Sequence, residues 1–463
     1  METIETFLFK ALNALEESAP QLADELQEIT DVLSSPPRIA VVGRVKAGKS
    51  TLTNALIGAP VAETAALEAT NVVTVYHYGA PDRAVATLRD GNKREVVIRH
   101  GQHAQLPCNP EDISYVDRWM SIRSLEEFSI IDTPGLSTLT TEHELATKRA
   151  LSKRTNVVNA DGAIFLFDSA PREDEVEFIK TLGFTQLNTF GVLAQADTFG
   201  EGALGEEDPL ERAKHQAARM SQELSQYLSR VFPVSGLMAQ TASTRALTET
   251  GIRRIKQYSD YSNDELLQVL LGERNIPEDL RFAVEHIAEY GLFRGRHYLT
   301  EGAVMMNAWL ESRSGIDQLR EAISSSMQQY ALLHRSIRTV HRLENLAVRY
   351  PEYQYDIRNT LAQLVSDETM LPVRLFDALK KLQVDSRQKW LIQLVAQMLA
   401  ENTVAGKLGL PSTAQRVEII AEIGEYRRRL HSLKLSCTPA EEVAVPVVLA
   451  ALDVIERPIT SWV

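Results

Sequence analysis

Residues 43–50 read GRVKAGKS, and this octapeptide constrains the fold more than any other stretch of the chain. It fits G-x-x-x-x-G-K-[ST], the pattern of a loop that cradles phosphates. The run before it, Arg38–Val42 (RIAVV), is short, apolar and bounded by turn residues, which predicts a buried strand. The run after it, Lys49–Ile57, has helical spacing. Strand, glycine loop and helix in that order are the context the pattern requires. Each position has a chemical reason. Gly43 and Gly48 keep the loop free of Cβ atoms, so that backbone N–H groups face phosphate oxygens. Lys49 balances charge between the β- and γ-phosphates, and Ser50 offers its hydroxyl to Mg²⁺. The helix N-terminus adds partial positive charge. The predicted nucleotide contacts here are Gly43, Ala47, Gly48, Lys49, Ser50 and Thr51.

Further short apolar runs follow: Val72–Tyr78, Ala84–Leu88, Arg94–Arg99, Phe128–Ile131, Gly162–Phe167, Phe190–Ala194 and Val231–Val234. Asp90-Gly91 between the second and third of these predicts a hairpin turn. Helical patterns at Glu173–Leu182 and Pro209–Leu228 separate later runs. Alternating strands and helices predict an α/β fold, a central mostly parallel sheet with helices on both faces. After Ser235 strand-like runs almost vanish and long amphipathic segments dominate to about residue 435. The chain has no internal repeat.

A second motif, Asp132-Thr133-Pro134-Gly135, follows the run Phe128–Ile131. An acid at a strand end beside the phosphate loop serves Mg²⁺ through water, and the Gly135 N–H reaches the γ-phosphate. The intervening loop, Ala59–Asn71, supplies one hydroxyl to the metal; Thr70, just before the next strand, is the first candidate and Thr64 the rival. Base reading falls to Ala194-Gln195-Ala196-Asp197, where guanine-specific sites carry [NT]-K-x-D. Asp197 can accept from the guanine ring N–H and amino group, donors that adenine does not present in that geometry. The lysine that covers the base and the polar residue that braces the loop are absent, which predicts weaker nucleotide affinity. Ser235-Gly236-Leu237, after Val231–Val234, fits the loop where a backbone N–H meets the base carbonyl.

The chain has 463 residues, which predicts two or three domains. Two cysteines, Cys108 and Cys437, build no disulfide framework, and the first ten residues are acidic rather than basic. The apolar stretch Val443–Leu452 contains Pro446 and is about half the ~20 residues that a spanning helix needs. These features predict a soluble protein of a reducing compartment. A net charge of −13 argues against bulk nucleic-acid binding. The charge is unevenly spread. Residues 1–35 carry eight acids against Lys10 alone, whereas residues 335–434 carry sixteen bases against eleven acids. Residues 4–15 and 22–33 present apolar faces at helical spacing on either side of Pro20, and neither has a core of its own. They are expected to pack on the basic C-terminal helices; packing on the nucleotide head is the alternative.

With GRVKAGKSTLTNALIG, LEATNVVTVYHYG, IIDTPG and FPVSGL in this order, the chain resembles the bacterial dynamin-like GTPases, in particular the isoniazid-inducible dynamin-like proteins of actinobacteria. SGIDQLREAI (residues 314–323) is similar to the last helix of such a GTPase domain. The resemblance implies a P-loop GTPase of the dynamin type over 36–333, and an α-helical bundle, a neck or stalk, over 334–463 with residues 1–35 packed on it. It implies GTP as substrate, GDP as product, Mg²⁺ as cofactor, head-to-head homodimers and membrane remodelling at the inner face of the plasma membrane, in the cytoplasm. A dynamin-like paralogue is the other partner it implies. Position 136 is leucine, where Ras-like proteins place the glutamine that orients water. Relatives without that glutamine use a monovalent cation at the phosphates or a P-loop arginine; this chain has Lys46 at that position, which predicts a lysine acting in cis, with Arg44 the rival. The catalytic set is therefore Lys46, Lys49, Thr70 and Gly135, the metal set Ser50, Thr70 and Asp132, and the base set Asp197, Ser235 and Gly236. The alternative function is a regulatory GTP-binding switch, or the heteromeric partner of another dynamin-like protein.

Three other features call for a decision by structure. Residues 371–390 are basic and amphipathic, fitting either a lipid surface or an ordinary bundle helix. Arg427-Arg428-Arg429 fits a solvated face or a partner for the N-terminal acids. His100 and His103, spaced i, i+3, lack a third ligand for a metal.

Overall fold

The computed structural model describes residues 3–44, 46–61, 72–98, 106–133, 159–181, 183–271, 276–434 and 436–460. Thr64, Thr70, His100, His103 and Gly135 lie outside the described residues. The chain forms two compact units: residues 36–184 with 188–327, and residues 1–35 with 185–187 and 328–463.

The first unit is built on a nine-stranded sheet. Its strands are β1 (Arg38–Gly43), β2 (Val73–Tyr78), β3 (Arg83–Leu88), β4 (Lys93–Val96), β5 (Ile113–Met120), β6 (Ser129–Asp132), β7 (Gly162–Phe167), β8 (Thr189–Ala194) and β9 (Val231–Val234), in the order β4-β3-β5-β2-β6-β1-β7-β8-β9. From β6 to β9 all neighbours are parallel. β7 and β8 are buried at every residue, as expected of strands covered on both faces. β2 runs antiparallel to β6 and parallel to β5, and β3 is antiparallel to both of its neighbours. β3 alternates buried with partly or fully exposed residues, the mark of a strand with one wetter face. The predicted hairpin forms between β3 and β4. Its turn holds Gly91 at φ +88°, with Asn92 N donating to Asp90 Oδ1 at 2.9 Å.

Sequence reading missed β5. Asp117 and Arg118 interrupt its apolar residues, so it has neither a clean period of two nor an apolar run. One apolar core lies on each face of the sheet. Val42, Val75, Phe165 and Leu193 mark one; Val41, Tyr76, Ile164 and Val192 mark the other. Helices Glu173–Thr181 and Pro209–Glu223 connect β7 to β8 and β8 to β9.

The second unit is helical. The helix Ile4–Ser18 buries Phe7, Leu8, Ala11, Leu12 and Leu15, and Ala23–Ser34 buries Leu26, Ile29 and Leu33. Pro20 separates them as the start of a single 3₁₀ turn. Their apolar faces share one core with Leu333 and Ile337 of Gln328–Arg349, Phe376 of Leu371–Asp385, Leu394 of Lys389–Ala400 and Val448 of Pro439–Thr460. Two ion pairs, Arg342–Glu28 at 2.8 Å and Arg349–Glu25 at 2.7 Å, lie at the edge of that seam.

Pro446 does not end the final helix, which runs through it and buries Ala444, Val445, Val448, Ala451 and Leu452. A docked apolar face explains this stretch. The 371–390 segment is likewise a packed bundle element. Leu371–Asp385 buries eight residues, including Lys380, and Lys381 pairs with Asp377 at 2.6 Å. Arg427 pairs with Asp453 and Glu456, acids of the last helix rather than of the first, and Arg429 lies over the Trp390 ring at 4.0 Å. Among the described residues no helix is long and apolar enough to cross a membrane.

Candidate nucleotide site

The site gathers where the parallel strands end. β1 delivers the chain into the loop, and the helix Lys49–Ile57 leaves it with Gly48 as its N-cap residue at φ +92°, ψ 19°. Gly48 has no side chain with which to cap this helix, which, among the described residues, leaves its first amides open to a ligand. Lys46 also sits at positive φ, +66°, and its side chain is exposed. The two glycines serve different needs. Gly48 has open space around a built Cβ, but its backbone is left-handed. At Gly43 a Cβ would stand 2.9 Å from the Leu166 carbonyl oxygen of β7, so this glycine is demanded first by strand packing.

Lys49 is 8% exposed, and its Nζ donates to the Arg44 carbonyl at 2.8 Å. Burial lowers its pKa to about 8, against the opposing pull of the Asp132 charge. Burial likewise raises the Asp132 carboxyl to about 6, and Lys49 opposes the shift. The two charges therefore face each other in a desolvated place that a phosphate and a cation would fill. Asp132 is the last residue of β6. It is in register with Val41 of β1 on one side and Thr74 of β2 on the other. Thr133 Oγ1 donates to the Val41 carbonyl at 2.7 Å and ties the strand end to β1. Because β2 is antiparallel to β6, β2 begins beside the end of β6. Ser50 is exposed at the helix start. Ser50 and Asp132 are hard oxygen donors suited to Mg²⁺, which takes its other ligands from phosphate and water. Among the described residues no group of three or more His, Cys, Asp or Glu could hold a metal by itself.

Arg44, the rival to Lys46, is drawn toward Asp174, with 3.6 Å between guanidinium and carboxylate.

The base end is equally built. Asp197 follows β8 and is 6% exposed. Burial raises its pKa, and a side-chain hydrogen bond with Ser235 opposes that shift. Ser235 also caps the helix Gly236–Thr244, accepting from Met238 N at 3.4 Å, and its own amide donates to the Ser314 carbonyl at 2.9 Å. The brace that the 194–197 loop lacks at Ala194 is thus supplied from the next loop. At Gly236 a built Cβ comes 3.3 Å from Thr51 Cγ2, so the two nucleotide motifs touch. One cleft of about 860 Å³ joins these parts, from Gly48 and Thr51 past Ala194, Gln195 and Asp197 to Leu237. Its size lies in the range of small-molecule pockets.

Residues 39–195 match the family described as the dynamin family. Over these residues the chain is similar to the dynamin family. It is similar to the isoniazid-induced protein IniC of Mycobacterium tuberculosis, strains CDC 1551 / Oshkosh and ATCC 25618 / H37Rv, at 32% identity over 287 residues. That match covers 58% of this chain and 57% of IniC, so the chain spans little more than half the length of these relatives. An uncharacterised protein in the xynA 3′ region of Caldicellulosiruptor sp. (strain Rt8B.4) is 27% identical over 170 residues, covering 35% of this chain and 39% of that protein. Two solved chains of an oligomerised bacterial dynamin pair, described as sensing and tethering membranes over long range, are similar at lower levels. One has 13% identity and a TM-score of 0.32, covering 95% of this chain and 87% of its own. The other has 15% identity and a TM-score of 0.31, covering 92% and 60%.

The structure brings Lys49 near enough to Asp132 for their charges to interact, and hydrogen-bonds Asp197 to Ser235. Sequence reading missed the far wall of the cleft, formed by Gln240, Thr241 and Thr244 with Glu285 and His286. No motif marks these residues. They belong to helices on which polar residues read as ordinary solvated faces.

Proposed function

We propose that this chain is a dynamin-like GTPase that binds Mg²⁺·GTP, hydrolyses it to GDP and phosphate, and couples nucleotide state to head-to-head dimerisation and membrane remodelling. The observation that carries the reading is a cleft that runs from Gly48 and Thr51, next to the buried Lys49 whose charge interacts with Asp132, to a buried, braced Asp197 at its other end. Lys49 exchanges its Arg44 carbonyl partner for phosphate oxygens, and Ala47, Gly48 and Thr51 contribute backbone at the same place. Ser50, Asp132 and Thr70 hold the metal, which neutralises the charge that develops on the phosphates. Gly135 meets the γ-phosphate through its amide. Asp197 accepts from the purine ring N–H and amine, with Ser235 and Gly236 along the same edge.

Leucine at 136 leaves no side chain there to orient water. An exposed Lys46 held at positive φ on the loop suits the missing positive charge, brought onto the phosphates when two heads meet. A bound monovalent cation is the alternative source. In this reading residues 36–333 act as the GTPase, and residues 1–35 with 334–463 act as the neck or stalk. The protein acts in the cytoplasm, peripherally at the inner face of the plasma membrane. One observation favours a second reading. The exposed Gln195 replaces the base-covering lysine, which suits a nucleotide-binding switch or the partner of a more active dynamin-like paralogue.

GTP turnover measured against protein concentration, with and without anionic liposomes, tests the choice. Turnover that rises with concentration and is lost in Lys49→Ala is the expected result. Flat turnover at all concentrations selects the switch. A Lys46→Ala rate unchanged both with and without potassium removes Lys46 from the mechanism.

A further inference from the structure

We infer that His286 is a specificity-determining contact of the nucleotide cleft, an acceptor that holds the nucleoside where the 194–197 loop has lost its lysine. This rests on the GTP-binding reading above. The helix Glu278–Arg294 lies far along the chain from every nucleotide motif, yet His286 lines the same cleft as Gly48, Ala194, Gln195 and Asp197. Two contacts hold its ring in place. It stacks on Phe282, one helical turn earlier, with centroids 4.0 Å apart and planes 29° from parallel. The Phe282 ring in turn lies 4.7 Å from the Arg254 guanidinium carbon.

The second contact decides the chemistry. His286 Nδ1 lies 2.9 Å from the Phe282 carbonyl oxygen. A carbonyl only accepts, so Nδ1 carries the hydrogen, and in the neutral ring Nε2 is left with a lone pair. The imidazole therefore presents an acceptor on a side chain of fixed orientation. Guanosine has donors that Asp197 does not take. Asp197 accepts from the ring N–H and one hydrogen of the amine, which leaves the second amine hydrogen and the two ribose hydroxyls. The chemistry is the same for each, a nucleoside donor meeting the Nε2 lone pair.

The test is calorimetric titration of the full chain with Mg²⁺ and GDP, IDP or 2′,3′-dideoxy-GDP. IDP lacks the amine, and dideoxy-GDP lacks the hydroxyls. His286→Phe preserves the stack on Phe282 and removes the acceptor; His286→Gln restores an acceptor. We expect His286→Phe to weaken GDP by roughly three- to tenfold, the worth of one hydrogen bond, and His286→Gln to recover most of that loss. A smaller loss with IDP than with GDP assigns the amine as donor; a smaller loss with dideoxy-GDP assigns the ribose. Equal losses for all three ligands, or no loss with GDP, overturn the proposal. Wild-type protein that binds GDP no better than ADP overturns the GTP reading instead, whatever the variants do.

Discussion

Burying a lysine and a carboxylate together is costly unless something arrives to use them. Lys49 and Asp132 are held in that state, each displaced toward its neutral form by burial and pulled back by the other. Lys49→Ala should leave the chain folded, since the ammonium is itself desolvated, and should lower GTP turnover by on the order of 10²–10³, the usual worth of one donor aimed at developing charge. A single-turnover assay at saturating GTP reads it. At the base end, Asp197→Asn exchanges an acceptor pair for one acceptor and one donor. That pattern matches a purine with a carbonyl at C2, so the variant should lose at least about tenfold in affinity for GTP relative to XTP; competition binding with both nucleotides checks it. At this scale much of the site was legible. The spacing of Lys49 and Ser50 pointed to phosphate, and Asp197 stood out as the surviving acid of a base loop. The reason for Gly43 was not legible, because Leu166 of a strand far along the chain sets it. His286 was not legible either, because one histidine on a helix carries no spacing.

Elements meet at a few tight points, and Gly315 is one of them. It lies between the helices Ala303–Ser314 and Ile316–Ala322 at φ +80°, where a Cβ would stand 2.3 Å from the Pro233 carbonyl of β9. Gly315→Ala should cost about 2–4 kcal/mol from left-handed strain and overpacking together. It should also weaken guanine nucleotide binding, because the Ser235 amide is bonded to the adjacent Ser314. Thermal unfolding and a GDP titration on the same sample read the two effects. The parallel half of the sheet was legible because both faces are covered, so its strands appear as plain apolar runs. The antiparallel half was harder: β5 mixes Asp117 and Arg118 into its pattern. The resemblance put the end of the head at residue 333, and local sequence adds nothing to sharpen it. The units divide between Met327 and Gln328, where an unbroken helical stretch, one turn of it π-helical, has no glycine or proline to mark a boundary.

For the whole molecule, charge and apolar burial compete to explain why the N-terminal helices join the C-terminal ones. The magnitudes settle it. Arg342–Glu28 is solvent-exposed, and such a pair contributes at most about 1 kcal/mol. Leu12 is 1% exposed, and truncating a leucine so placed costs about 2–5 kcal/mol. Arg342→Glu should therefore barely move the unfolding of the helical unit, while Leu12→Ala should lower its midpoint clearly; urea titration followed by far-UV circular dichroism compares them. The charge asymmetry in the sequence pointed toward a real association whose main cause is the apolar stripe.

Acid should loosen the same unit through Glu441. Burial works against its ionisation, but hydrogen bonds from Thr438, Ser386 and the Arg387 amide outweigh burial and lower its pKa. A carboxylate with a depressed folded pKa stabilises above its unfolded value, about 4.3, and that contribution disappears as pH falls through the lower folded value. Glu441→Ala should cost about 1–3 kcal/mol at pH 7 and should flatten the acid side of the stability profile. A series of melts from pH 7 down to pH 3 tests the sign.

Ser235 holds Asp197 with its side chain, starts the helix Gly236–Thr244, and grips Ser314 with its amide. After Ser314 the chain runs through Ile316–Ala322 to Met327, where the head gives out. The base-reading end of the cleft and the exit of the chain from the head are thus linked by one hydrogen bond and a short helical run. Met327 itself packs against Gly162, the first residue of β7, its sulfur 2.3 Å from where a Cβ there would stand, so this run carries the chain from the cleft down to the opposite end of the sheet before it leaves the head.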